Sequence, residues 1–246
     1  MTIVTLNRAA RKNCMTLAMW HELARLFREL AEDSESRAII LTGSGGNFCT
    51  GADISEFGVV RSTAEQITTY SKAVDGASHA IMDAPQPVIA AIQGYCVGGG
   101  CGLAMACDFR FAAPESTFFI PAARLSIIYS LRETQNLLAL VGLSNAKRIL
   151  YSAERIKSAE AAHIGLIDRI ENDPLAASLE FSAQIARNAP LSVSGTKKIL
   201  NKLATGLGEL DLEEAQQLMK NASQSEDYRE GRLAFKEKRE PRFKGR

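Results

Sequence analysis

Two glycine-bearing loops hold the residues best suited to chemistry. "GSGGNFCTGADISEF" (43–57) and "GYCVGGGCGLAMACD" (94–108) each follow a run of small apolar residues, and the second leads straight into a helix-like stretch. Glycines let a backbone approach a ligand closely and aim its N–H groups at a negative charge. Ala52 and the surroundings of Gly99 offer such N–H groups, and two donors converging on one oxygen make an oxyanion hole for a carbonyl that gathers charge. The helix beginning near Gly100 adds the positive end of its dipole. Close strand-to-helix packing is the competing account of the same glycines. Neither loop carries a P-loop signature, and the second lacks the glycine spacing of a dinucleotide fold, so a nucleotide phosphate is not expected. The polar slot after the triple glycine, where an acid would sit beside such an anion, holds Gly102.

The elements that must position these loops alternate. "TIVTL" (2–6), "RAIILTG" (37–43), "PVIAAIQG" (87–94) and "DFRFAA" (108–113) read as strands, rich in β-branched and aromatic residues. Residues 16–32 form a helix with Leu17, Trp20, Leu23, Leu26, Phe27 and Leu30 on one stripe and Thr16 as N-cap. Residues 64–83 form a more polar helix. This alternation implies an α/β domain with crossovers. From about 132 onward the pattern is helical apart from the short "GLIDRI" (165–170), with helices expected over 189–203, 210–222 and 225–239, the last starting at Ser225. Such a helical end on an α/β core suits packing against a neighbouring chain.

Composition narrows the function classes. With 246 residues, 46% hydrophobic, the chain has enough length for a large core. Its 29 Lys and Arg against 28 Asp and Glu leave no broad basic face for nucleic acid. The basic tail "KEKREPRFKGR" reads as a solvated terminus or an anion site. Five cysteines with no CxxC pair fit a reduced cytoplasmic setting without zinc. No apolar run reaches membrane-spanning length, and the start has no secretory-signal plan. A soluble intracellular protein is expected, without metal, membrane or nucleic-acid partner.

At these two loops the sequence resembles the enoyl-CoA hydratase/isomerase (crotonase) superfamily. "FCTGADISEF" is similar to its first oxyanion-hole loop and "GYCVGGGCGLAMACD" to its second; "LNRAARKN", "SAEAAHIGLIDRI" and "EGRLAFKEKREPRFKG" resemble further family segments along nearly the whole chain. The resemblance implies an α/β fold built as a spiral of ββα units over 1–190, followed by a helical region over 191–246 that mediates homo-trimers, often paired into hexamers. It implies an acyl-CoA thioester as substrate, with coenzyme A entering as part of it and no separate cofactor. It places the two N–H donors at Ala52 and Gly99, and Thr50, Gly51, Asp53, Ile54 and Gly98 along the bound substrate. Phe235 and Lys238 match positions that contact the coenzyme A of an adjacent subunit.

The departures are equally informative. Hydratases of the family use two glutamates as acid and base; here those slots hold Gly102 and Ala122, and neither residue can move a proton. Ordinary hydration is therefore not expected. "ARLSIIYSLRETQ" (123–135) runs through the region where other members place their variable catalytic groups. Tyr129 lies in a context similar to that of the superfamily's methylmalonyl-CoA decarboxylases, although those carry a histidine where this chain has Ala52. Decarboxylation needs an enolate stabilised and a carboxylate oriented, but no base, and Tyr129 is a candidate for the orienting group; a packing role at a helix start is the alternative. Glu133 is a candidate lone base for double-bond isomerisation, against a solvated or Arg132-paired surface glutamate. Arg124 pairs a buried acid such as Asp108 or meets a substrate carboxylate. Asp75 and His79 read as an i,i+4 surface pair, with a pair over the pocket as the alternative, and Asp53 as a cap of the turn that follows it. A non-catalytic acyl-CoA-binding protein that kept the pocket is the remaining alternative.

Overall fold

A computed structural model describes residues 1–205 and 212–246. The expected helix over 210–222 begins, among the described residues, at Leu212; positions 210 and 211 lie outside them. Five strands, β1 (Thr2–Leu6), β2 (Ile39–Gly43), β3 (Val88–Ile92), β5 (Phe109–Ala112) and β8 (Arg169–Ile170), make one parallel sheet in the order β1-β2-β3-β5-β8. Every residue of β3 is buried, as a central strand covered on both faces requires, and its run of Val, Ile and Ala is what such a strand needs. A smaller sheet holds β4 (Tyr95–Val97), β6 (Thr117–Phe119) and β7 (Arg155–Lys157), with β4 parallel to β6 and β7 antiparallel to it. These three short strands are not apparent in the periodicity of the sequence, because three residues give too little alternation to read.

The chain visits the large sheet, then the small one, then a helix, and repeats. β3 leads to β4 and α4 (Gly99–Ala106); β5 leads to β6. The preceding turn does the same with single bridges in place of strands. β2 leads to Cys49, which bridges Cys96 of β4, and then to α3 (Ala64–Asp83); β1 leads to Met15, which bridges Ala52, and then to α1 (Leu17–Ala31). This is the ββα spiral expected from the resemblance. Thr16 caps α1 by accepting from the Met19 N–H, and Trp20, Leu23, Ala24 and Phe27 carry the buried stripe toward α3.

After β6 come α5 (Leu131–Ser152), interrupted at Gly142, then α6 (Ser158–His163), α7 (Pro174–Ile185), α8 (Pro190–Thr205), α9 (Leu212–Gln224) and α10 (Glu226–Glu237); a four-residue α2 (Phe57–Val60) precedes α3. Ser225 caps α10 through the Tyr228 N–H, as expected. α8 is fastened to its own core: Lys197 Nζ lies 2.7 Å from Asp108 Oδ2 and donates to the Gln86 carbonyl. Among the described residues no helix is long and apolar enough to cross a membrane.

Candidate active site

The two loops meet because the bridges of the spiral bring them together. The Met15 N–H donates to the Gly51 carbonyl at 2.7 Å and the Asp53 N–H to the Met15 carbonyl at 2.8 Å. Ala52 is thereby fixed on both sides, and among the described residues no acceptor meets its own N–H. Gly99 opens α4, so its N–H lacks an intrahelical partner. Gly51 has φ +83°, and a Cβ there would lie 2.7 Å from the Val97 carbonyl oxygen and 2.9 Å from the Gly99 nitrogen. Only glycine allows the loops to touch in this way.

Both loops line a cleft of about 300 Å³. Thr50, Gly51, Ala52, Ile54, Gly98, Gly99, Ala122, Tyr129 and Glu133 all reach it, so most of the residues singled out in the sequence are gathered in one place. Trp20, Phe57, Tyr70, Val74 and Ile127 complete its apolar wall, and Trp20 Nε1 donates to Tyr70 Oη at 3.0 Å. These apolar members carry no signal in the sequence that separates them from ordinary core residues.

Glu133 is neither solvated nor paired with Arg132. It is 7% exposed, and Ser130 and Glu133 form a reciprocal capping box at the start of α5: the Ser130 N–H donates to Oε2 at 3.2 Å, and the Glu133 N–H donates to Ser130 Oγ at 3.3 Å. The other oxygen, Oε1, lies 2.6 Å from where a Cβ on Gly102 would be. The Glu133 carboxyl therefore occupies the side-chain space that Gly102 leaves open. The serine and glutamate three residues apart in "SLRE" are the sequence signature of this cap, but a cap marks the helix start and does not by itself show that the carboxyl is buried. Burial pushes its carboxyl up to about 6, against the Ser130 hydrogen bond and with the neighbouring Asp75 adding to the rise. Burial likewise pushes the Tyr129 phenol well above its ordinary value, with Cys101 and Glu133 contributing.

Several other expectations are corrected. Asp75 does not pair with His79; Arg132 Nε lies 3.1 Å from His79 Nε2, and Asp75 lines the cleft. Arg124 does not reach Asp108, which Lys197 neutralises; its guanidinium lies 5.4 Å from the centre of the Phe119 ring, on an exposed turn. Asp53 does not line the cleft. It is 3% exposed, accepts from the Ser55 N–H at 3.1 Å and binds Arg8 Nη1 at 2.6 Å. Ser55 and Arg8 hold its carboxyl far below the usual carboxylate range. Its cap role stands, and a direct substrate contact does not fit. Phe235 and Lys238, at the end of α10, lie outside this chain's cleft.

The chain matches the family model for enoyl-CoA hydratase/isomerase over residues 1–246, and it belongs to that family. An enoyl-CoA hydratase/carnithine racemase from Magnetospirillum magneticum has a solved structure that is 34% identical, covers 99% of this chain and 92% of its own, and superposes with a TM-score of 0.92. The short-chain-enoyl-CoA hydratase of Clostridium acetobutylicum is 32% identical over 253 residues, 96% of this chain and 91% of its own length. The peroxisomal Delta(3,5)-Delta(2,4)-dienoyl-CoA isomerase of Arabidopsis thaliana is 30% identical, over 97% and 90%. The fold is the crotonase fold, and the protein is an enzyme of this family.

Proposed function

We propose that the protein shifts a double bond along an enoyl-CoA, with Glu133 as the single proton-carrying group. Glu133 carboxylate takes a proton from C2, between the thioester carbonyl and the C3=C4 double bond, and the electron pair moves onto the thioester oxygen. The Ala52 and Gly99 N–H groups receive that oxygen. The protonated Glu133 then returns the proton at the far carbon, so no atom is gained or lost. One carboxyl serves both steps, which is why the empty slots at Gly102 and Ala122 do not preclude the reaction. The observation that carries this reading is the Glu133 carboxyl in the Gly102 space, with its proton affinity raised toward neutrality. The test is turnover of a 3-enoyl-CoA to its 2-enoyl isomer. Glu133→Gln should lower kcat by about 10²–10⁴; an unchanged kcat overturns the assignment.

Decarboxylation of a malonyl-type thioester is the second reading, favoured by the Tyr129 phenol in the cleft. It fits less well. Asp75 and Glu133 both line the cleft, and a substrate carboxylate entering it would meet two carboxyl groups of its own sign. Arg61, the cation of the cleft wall, lies over the Phe57 and Tyr70 rings instead.

The proposal extends to assembly. Phe235, 88% exposed on α10, and Met219, 66% exposed on α9, are apolar groups that a trimer or hexamer would cover, with Phe235 and Lys238 meeting the coenzyme A of a neighbouring subunit. Sedimentation should show such an assembly, and a monomer at micromolar concentration would contradict it.

A further inference from the structure

A second cleft, of about 230 Å³, lies at the end of the large sheet away from the active-site loops. Arg37 precedes β2 and Gln86 precedes β3. Ile39 pairs with Val88, and the Ile39 N–H donates to the Pro87 carbonyl at 2.9 Å. Arg37 and Gln86 therefore enter the sheet side by side, their backbones about 5 Å apart as on neighbouring strands, and both line this cleft. The five residues of β2 and of β3 set it about 16 Å from the loops of Ala52 and Gly99.

One side of the cleft lacks a donor. Gln86 is 7% exposed, and its Nε2 donates to the Leu30 carbonyl at 2.7 Å and the Asp33 carbonyl at 3.1 Å. Two acceptors on that nitrogen fix the orientation of the amide. Gln86 Oε1 is buried with no partner, which costs stability until a donor reaches it.

The other side lacks an anion. Arg37 Nη2 donates to the Phe243 carbonyl at 3.0 Å, and among the described residues no carboxylate pairs with this guanidinium. α8 begins beside it. Pro190 has no N–H, the Ser192 and Val193 N–H groups go to the Ala189 carbonyl, and among the described residues the Leu191 N–H meets no acceptor. A Cβ on Gly245 would lie 3.6 Å from Pro190 Cγ and 3.7 Å from Arg37 Nη1, so the cation and the helix start flank one point. Both favour negative charge there. The segment that closes this side is fastened: the Lys244 and Gly245 N–H groups donate to the two carboxylate oxygens of Asp227, each at 2.7 Å.

We infer that this cleft binds a small carboxylate with a hydrogen-bond donor on the neighbouring carbon, an α-amino or α-hydroxy acid whose side chain is apolar. The carboxylate meets Arg37 and the Leu191 N–H, the donor meets Gln86 Oε1, and the side chain lies against Pro85, Ile185 and Pro190. The site is independent of the reaction proposed above.

Calorimetry on the full chain tests this with L-leucine, with L-2-hydroxy-4-methylpentanoate, and with 4-methylpentanoate, which keeps the carboxylate and side chain but carries no donor. One of the first two should bind roughly tenfold or more tightly than the third, the scale of a hydrogen bond that satisfies a buried acceptor. The tighter of them identifies the donor as ammonium or hydroxyl. Arg37→Ala should weaken that acid at least about tenfold, and Gln86→Leu should remove its advantage over 4-methylpentanoate. The wild-type comparison needs no variant and stands even where Gln86→Leu fails to fold. Binding of neither acid, equal binding of all the probes, or wild-type affinity in Arg37→Ala would overturn the inference.

Discussion

Glu133 Oε1 lies 2.6 Å from the position a Cβ on Gly102 would take, so the carboxyl of one residue fills the side-chain space of the other. A carboxyl carried by α5 thus lies where a side chain of α4 would otherwise be. Glycine at 102 is what admits Glu133. The capping box with Ser130 then holds its second oxygen and leaves the first facing α4.

Gly102→Ala should displace that carboxyl with little harm to the fold. Alanine favours a helix over glycine by about 1 kcal/mol, and the group it meets is the far end of a flexible side chain. Isomerisation should fall at least about tenfold while the melting temperature stays within a few degrees. Full activity in the alanine variant would show that the Glu133 position is not critical.

The pH profile follows from the direction of the Glu133 shift. A base must be deprotonated, and burial raises this carboxyl to about 6. The rate constant kcat/KM should therefore level off above pH 6 and fall about tenfold per unit below it. A profile flat from pH 5 to 8 would place the essential base elsewhere.

Stability moves in the opposite sense. The folded value, about 6, lies above the unfolded value of 4.5, so the protonated carboxyl favours the folded state. That contribution is present in full below about pH 4.5 and is lost as pH rises through 6, amounting to about 2 kcal/mol. Glu133→Gln keeps the shape and the acceptor for the Ser130 N–H. It should raise stability at pH 7 by about 1–2 kcal/mol and have little effect at pH 4. Denaturant melts at the two pH values check this.

The loops that meet in the cleft were legible in the sequence because their signal is local: glycines at fixed offsets between a strand and a helix. Strands β1, β2, β3 and β5 and helices α1, α3 and α10 were legible for a similar reason, since apolar period and cap residues mark them. The short strands β4, β6 and β7 were not, because they exist through pairing in the small sheet. The placement of Glu133 and Asp75 was lost for a related reason. Each sits on a helix with polar neighbours and reads as surface until the packing of α4 against α3 and α5 is known. Arg124 and Asp108 show the converse: a plausible pair in sequence is dissolved when Lys197 arrives from α8.

Asp53 follows Ala52 in the loop and ties that loop down. Its carboxyl joins Arg8, after β1, to the turn at Ser55. Asp53→Ala should cost about 1–3 kcal/mol of stability by leaving those donors unpaired. It should also lower kcat more than it raises KM, because the Ala52 N–H loses its support. A variant with wild-type kcat and a lower melting temperature would confine Asp53 to structure.

Deuterium exchange at C2 of butyryl-CoA in D₂O tests the central claim most directly, because it needs only the anion site and the base, and no double bond in the substrate. The wild type should exchange these hydrogens, and Glu133→Gln should do so at least about 10²-fold more slowly. Equal exchange by the two proteins would mean that the carboxyl in the Gly102 space does not carry the proton.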